Sequence, residues 1–236
     1  MAHYIELTAA DGFKLPAYEA RPVGPAKGAI VVLQEIFGVN AHIRDVADSF
    51  AALGYLAVAP ATFHRVKQGV ELGYSQGDVS AGMVLKAAVE RLPAPGVLQD
   101  IQAAIDYAAQ AGSFGTVGLV GYCWGGLLTW RAACELSGLS AAVPYYGGGM
   151  TSADEIARTP TCPVLAHFAN QDASIPLNGV EAFKQAHPEV DVRFYQASHG
   201  FNCDHRSAYN AEAAALAREG TLAFFAEHVE IGRAHV

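Results

Sequence analysis

Thr116-Val-Gly-Leu-Val120, Gly121-Tyr-Cys-Trp-Gly-Gly126 and the helical pattern Leu127–Leu136 decide the fold of this 236-residue chain. A short apolar run, suited to a strand buried on both faces, turns over a glycine-flanked cysteine into a helix. So sharp a turn strains its central residue, and the flanks must be glycine to avoid collision. It also sets the Cys123 sulfur at a helix N-terminus, where the dipole and unpaired N–H groups favour a thiolate. The pattern is G-x-nucleophile-x-G with cysteine in place of serine. A buried cysteine in a glycine-rich turn is the plain structural alternative. The strand before and the helix after argue against it.

Working outward, apolar runs alternate with longer helical patterns. Gly28-Ala-Ile-Val-Val-Leu33 reads as a central strand, 41–53 as a helix and Tyr55–Ala59 as the next strand. A polar stretch from His64 to Asp78 reads as a surface excursion, followed by helices near 79–91 and 97–111 with Pro93, Pro95 and Gly96 between them. Strands recur at Thr116–Val120, Ala141–Tyr145, Pro163–Phe168 and Asp191–Tyr195, and a last helix spans about 207–228. Tyr4–Thr8 and Lys14–Ala20, joined by Asp11-Gly12, read as a hairpin. The expected fold is α/β: a mostly parallel sheet, helices on both faces and an antiparallel N-terminal hairpin. Residues 1–229 read as one domain. Residues 230–236 match the translation of a common sequencing adapter, so they read either as a non-native tail or as an ordinary frayed terminus.

A nucleophile needs a base, and the base needs an orienting acid. Downstream of Cys123, the strand ending in Phe168 runs into Ala169-Asn-Gln-Asp172, and Gln196-Ala-Ser-His199-Gly-Phe201 follows the next strand. Asp172 and His199 therefore both sit at strand ends, where crevices of open α/β sheets form. The chain order nucleophile, acid, histidine fits a triad. An N-cap role for Asp172 and a surface-loop role for His199 are the bland alternatives. His3, His42, His187, His228 and His235 read as surface or terminal positions, His167 as packed in its strand, and His64 and His205 as flanking polar loops. No metal-type spacing appears, so neither metal nor cofactor is expected.

Composition narrows the partners. The chain is 52% hydrophobic and 16% charged, with a formal charge of −8. That balance argues against nucleic acid, which needs a clustered basic face, and against an anionic membrane surface. The first residues lack a secretory pattern, and the four cysteines (Cys123, Cys134, Cys162, Cys203) are scattered, so a reduced, cytoplasmic protein is expected, as a monomer or small homo-oligomer.

With Cys123, Asp172 and His199 in this order, the chain resembles the dienelactone hydrolase family. The likeness runs from about Tyr4 to the last helix and is specific at Gln34-Glu-Ile-Phe-Gly38, Gly54-Tyr55, Gly121-Tyr-Cys-Trp-Gly-Gly126, Tyr145-Tyr-Gly147 and Ser198-His-Gly-Phe201. The resemblance implies cofactor-free cleavage of enol-lactones, with the Ile36 and Trp124 amides as oxyanion hole. It also implies that Glu35 meets the resting Cys123 thiol and helps release its proton. A carboxylate ending an apolar strand is costly without a partner or a function; satisfaction by a neighbouring arginine is the alternative. Phe37, Trp124, Tyr145 and Phe201 suggest an apolar substrate pocket, although aromatics this near a core also serve packing. The family's carboxylate-binding arginines are replaced here by Cys203 and Ser80-Ala81, which predicts weak preference for carboxylated lactones; Arg206 lies close enough to substitute. A thiolate is itself easily expelled, so activated esters, enol-lactones and thioesters are its natural substrates. A promiscuous carboxylesterase or thioesterase, or a redox-sensing thiol protein with Cys203 as resolving cysteine, are the competing readings.

Overall fold

The apolar run before the turn is a strand, β5 (Val117–Tyr122), with every residue buried. In the computed structural model, which describes residues 2–111 and 115–230, it lies between two parallel neighbours, β3 (Ala29–Leu33) and β6 (Leu139–Tyr145). The remaining strands are β1 (Ala2–Thr8), β2 (Lys14–Ala20), β4 (Leu56–Pro60), β7 (Leu165–Ala169) and β8 (Asp191–Tyr195). Among the described residues, eight strands form one sheet in the order β1-β2-β4-β3-β5-β6-β7-β8. β1 and β2 pair antiparallel, β2 joins β4 antiparallel, and the rest are parallel. The Asp11-Gly12 turn closes the hairpin, with Gly12 at φ +83° and Asp11 Oδ1 accepting from the Phe13 amide.

Side chains of β5 show that both faces are covered. A Cβ on Gly118 would meet Phe225 of α7 (Ala211–His228), whereas one on Gly121 would meet Thr129 of α4 (Trp124–Glu135). An offset of three residues puts these contacts on opposite faces of a strand. Phe50 of α1 (Ala41–Ala52) joins Phe225 with centroids 6.0 Å apart, and Phe183 of α6 (Leu177–Ala186) meets Trp130 at 4.9 Å. The other helices are α2 (Gln76–Glu90), α3 (Leu98–Ala111) and the short α5 (Ala153–Ile156).

Boundaries differ from expectation where side chains cap the backbone. α2 begins at 76, not 79, because Ser75 and Asp78 form a reciprocal capping box. α7 begins at 211, not 207, because Asn210 accepts from the Ala213 amide. The excursion before α2 is no free surface loop. Val66, Val70, Leu72 and Tyr74 pack against the core, Glu71 bridges to Gly38, and the Leu72 amide donates to the Phe37 carbonyl. At the far end, Glu230 accepts from the Tyr55 hydroxyl at 2.9 Å and pairs with Lys27 at 2.6 Å. Residues 231–236, the rest of the expected tail, lie outside the described residues.

Candidate active site

Three strand ends bring the site together. Cys123 follows β5 with φ 56° and ψ −117°, a conformation a residue with a Cβ rarely adopts. Its neighbours hold it there. A Cβ on Gly121 would fall 2.1 Å from the Gly125 carbonyl oxygen, and one on Gly125 would fall 2.4 Å from that of Gln34. The glycines are thus required by contact, and the helix starts directly beneath the sulfur.

Asp172 follows β7 and is buried; His199 follows β8 and is mostly buried. His199 Nδ1 lies 2.6 Å from Asp172 Oδ2, while Asp172 Oδ1 accepts from the Ser174 amide at 2.8 Å. Asp172 therefore divides its oxygens between holding its own loop and holding the ring. It does not cap α6, whose N-cap is Pro176. Burial pulls the His199 imidazolium down, but the Cys123 sulfur and the Asp172 carboxylate prevail and raise its pKa to about 10. The sulfur is also a hydrogen-bond partner of the ring.

Ile36 follows β3 and Trp124 opens α4, and neither amide N–H has an acceptor among the described residues. The Trp124 ring itself points away, stacked on Phe63 at 5.0 Å with Nε1 donating to Glu90 at 2.8 Å.

Glu35 is placed differently from what the resemblance implied. Its Oε1 accepts from Arg206 Nη1 at 3.1 Å, its Oε2 is buried without a partner, and it makes no hydrogen bond to Cys123. The neighbouring-arginine alternative describes this geometry. Arg206 reaches inward because Gly200, at φ +82°, has no Cβ; one there would sit 2.6 Å from Arg206 Nη1. Burial works against the Arg206 charge, but Glu35 and the Cys123 sulfur more than offset it.

A cleft of about 540 Å³ opens over Cys123 and His199, lined among others by Ile36, Phe37, Met83, Lys86, Arg131 and Arg206. Phe37 is the one expected aromatic that lines it. Tyr145 and Phe201 do not: Tyr145 is buried with its hydroxyl 2.7 Å from Thr221 Oγ1, and Phe201 packs on Tyr145, Tyr146 and Tyr195. Both belong to the core because their chain segments are still passing through it. The residue that touches His199 is Tyr146, at φ 36°, with its ring 5.2 Å away. Strand periodicity gives no warning of that kink.

The cleft also has more positive charge than the motifs disclose. Arg131 is occupied by Glu90 and Glu155 at 2.8 and 2.7 Å, while Lys86 has no acid within 4.0 Å among the described residues. Two histidines read as surface positions are buried. His187 lies against Trp130 and Phe183, with Nε2 bonded to the Ile156 carbonyl, and His42 faces the core side of α1.

A positive-φ residue at a strand-to-helix turn, with an acid and a histidine following in chain order at strand ends, defines an α/β-hydrolase. Within that class the chain belongs to the dienelactone hydrolase family, whose sequence model matches residues 15–229. It is 36% identical over 225 residues to a Synechocystis sp. protein named "Putative carboxymethylenebutenolidase", covering 87% of this chain and 88% of that one. It is 34% identical over 230 residues to the carboxymethylenebutenolidase of Pseudomonas putida, covering 94% and 95%. A crystal structure of a "Putative Dienelactone Hydrolase" from Klebsiella pneumoniae superposes with a TM-score of 0.81 at 33% identity, covering 97% of this chain and 99% of that one. No helix among the described residues is long and apolar enough to cross a membrane.

Proposed function

We propose that the chain hydrolyses small activated esters and enol-lactones through a Cys123–His199–Asp172 triad and an acyl-enzyme. The observation carrying this reading is the pairing of a strained Cys123 with a His199 whose Nδ1 is 2.6 Å from Asp172, on the floor of one cleft. The Cys123 thiolate attacks the carbonyl carbon, and the oxyanion gathers its negative charge between the Ile36 and Trp124 amides. Collapse breaks the acyl–oxygen bond, and the leaving oxygen takes the proton from His199. Neutral His199 then accepts a proton from water as hydroxide adds to the thioester, and collapse returns the thiolate. Asp172 orients the ring and stabilises its charged form.

Because a thiolate leaves easily, the forward path needs a leaving group at least as good, such as an enolate or phenolate. This selects enol-lactones and aryl esters over alkyl esters and peptides. Arg206 and Lys86, both lining the cleft, make it receptive to a substrate carboxylate, and Glu35 holds the Arg206 guanidinium in place. The weak carboxylate preference expected from Cys203 and Ser80-Ala81 is thereby replaced by a preference resting on Arg206. A hydrolysis screen across p-nitrophenyl esters, dienelactone and neutral lactones tests the substrate class. Trapping of a p-nitrophenyl acyl group on Cys123, seen as a mass increase absent from Cys123→Ala, tests the mechanism. A wild-type protein that turns over none of these, or acylates elsewhere, refutes the reading.

A further inference from the structure

Next to Arg206, three potential ligands converge from the β3–α1 loop, α1 and the β8–α7 loop. A carboxylate oxygen of Glu35, a ring nitrogen of His42 and the Cys203 sulfur all lie within 4.8 Å of one another, and all three residues are buried. Polar atoms buried this deeply are normally bonded. Here Glu35 Oε2 and His42 Nε2 are each buried without a hydrogen-bond partner. We propose that Glu35, His42 and Cys203 form a binding site for a thiolate-seeking divalent metal ion of the zinc class.

The donor set selects the ion. One imidazole nitrogen, one carboxylate oxygen and one sulfur suit zinc and exclude calcium and magnesium, which take oxygen alone. Tetrahedral bonds of about 2.0–2.3 Å place ligands about 3.3–3.8 Å apart, so donors within 4.8 Å of one another must draw in by at most about 1.5 Å. Cys203 sits in the loop between β8 and α7. Burial pushes its thiol pKa up to about 11, so metal binding releases the sulfur's proton to solvent as the metal–sulfur bond forms.

His42 also belongs to a second group nearer the surface. His42 Nδ1 lies 3.4 Å from the exposed Asp204, and His42, Asp204 and His205 make a second convergent group among the described residues. This outer group borders a surface pocket lined by His42, Asp45 and Asp204.

Occupation has a functional consequence, which rests on the role proposed above for Arg206. A dication on Glu35 repels the guanidinium that the same carboxylate holds at 3.1 Å, so the metal loosens Arg206 and raises KM for carboxylated substrates.

The site is tested with cobalt(II), whose bond to a thiolate gives a charge-transfer absorption in the near ultraviolet, in the Cys123→Ala protein. That background removes the catalytic sulfur as a ligand. One equivalent should produce the band, Cys203→Ser in the same background should abolish it, and His42→Gln should weaken binding at least tenfold. A band present in wild type but absent from Cys123→Ala places the metal on the catalytic pair and overturns the site. So does the absence of any band. The consequence is read separately: zinc should raise KM for a carboxylated lactone in wild type but not in Cys203→Ser. Equal inhibition of both overturns the proposed link. Binding with KM unchanged leaves the site standing and removes Arg206 from substrate recognition.

Discussion

Replacing Arg206 with Met separates two roles of one side chain. The substitution keeps the apolar stem and removes the charge, leaving Glu35, 1% exposed, as a buried carboxylate without its cation. Breaking a fully buried pair costs about 3–5 kcal/mol. Arg206 retains 21% side-chain exposure, so water screens part of the pair and about 2 kcal/mol is the appropriate figure. For a chain of this length that lowers Tm by about 4–8 °C. The same change removes a charge-assisted contact to a substrate carboxylate, worth about 1.5–3 kcal/mol, or roughly ten- to a hundredfold in kcat/KM. Adding Glu35→Gln distinguishes the two. The double variant should regain most of the lost Tm, because no charge is left stranded, yet it should remain indifferent to substrate charge. Thermal unfolding and kcat/KM for matched lactones with and without a carboxylate measure both. A double variant no more stable than Arg206→Met refutes the ion-pair argument. A carboxylate preference that survives Arg206→Met refutes the recognition argument and turns attention to Lys86.

Cys123→Ala should keep the fold and lose more than a hundredfold in ester hydrolysis, and Cys123→Ser should also be poor on enol-lactones; near-wild-type rates in either would remove the sulfur from the mechanism. His199→Ala should lose more activity than Asp172→Asn, since one removes the proton carrier and the other only its orientation. With the His199 pKa raised from 6.5 to about 10, turnover should fall as pH rises through about 10 and the leaving group loses its proton donor. The sign for stability is the same: the His199 contribution is complete below pH 6.5 and lost as pH rises toward 10, which denaturant titrations of wild type and His199→Gln at several pH values will register. Gly121→Ala should cost about 3 kcal/mol or more and most of the activity, because its Cβ would collide with fixed backbone of the nucleophile turn.

How far the sequence reaches depends on how local the determining contact is. The strand, turn and helix around Cys123 are legible because two glycines carry their own explanation, a Cβ having no room at either. Asp172 and His199 are legible from strand order, since parallel topology puts all strand ends on one edge. Side-chain direction at the end of a strand is harder. Tyr145 continues the alternation into the core, while a kink at Tyr146 turns the next ring onto His199. Glu35 reads correctly as a carboxylate needing a partner, but whether that partner is sulfur or arginine depends on a loop 171 residues away. His42 could have been found. It lies in register with Val46 and Phe50 on the buried stripe of α1, so helical periodicity already places it inside. The proposed ligands at 35, 42 and 203 follow no metal-type spacing because they come from two distant loops and a helix.

The place of the triad's histidine in the sheet bears on how the enzyme comes to life during synthesis. β8 is an edge strand, paired only with β7, and it carries His199 at its end. A nascent chain thus emerges with Cys123 some 76 residues ahead of His199, its proposed base. Until β8 docks, Cys123 has no His199 beside it. A polypeptide released early by a stalled ribosome would carry the cysteine without the histidine of the proposed triad. The proposed triad is complete only once the last strand has closed the sheet.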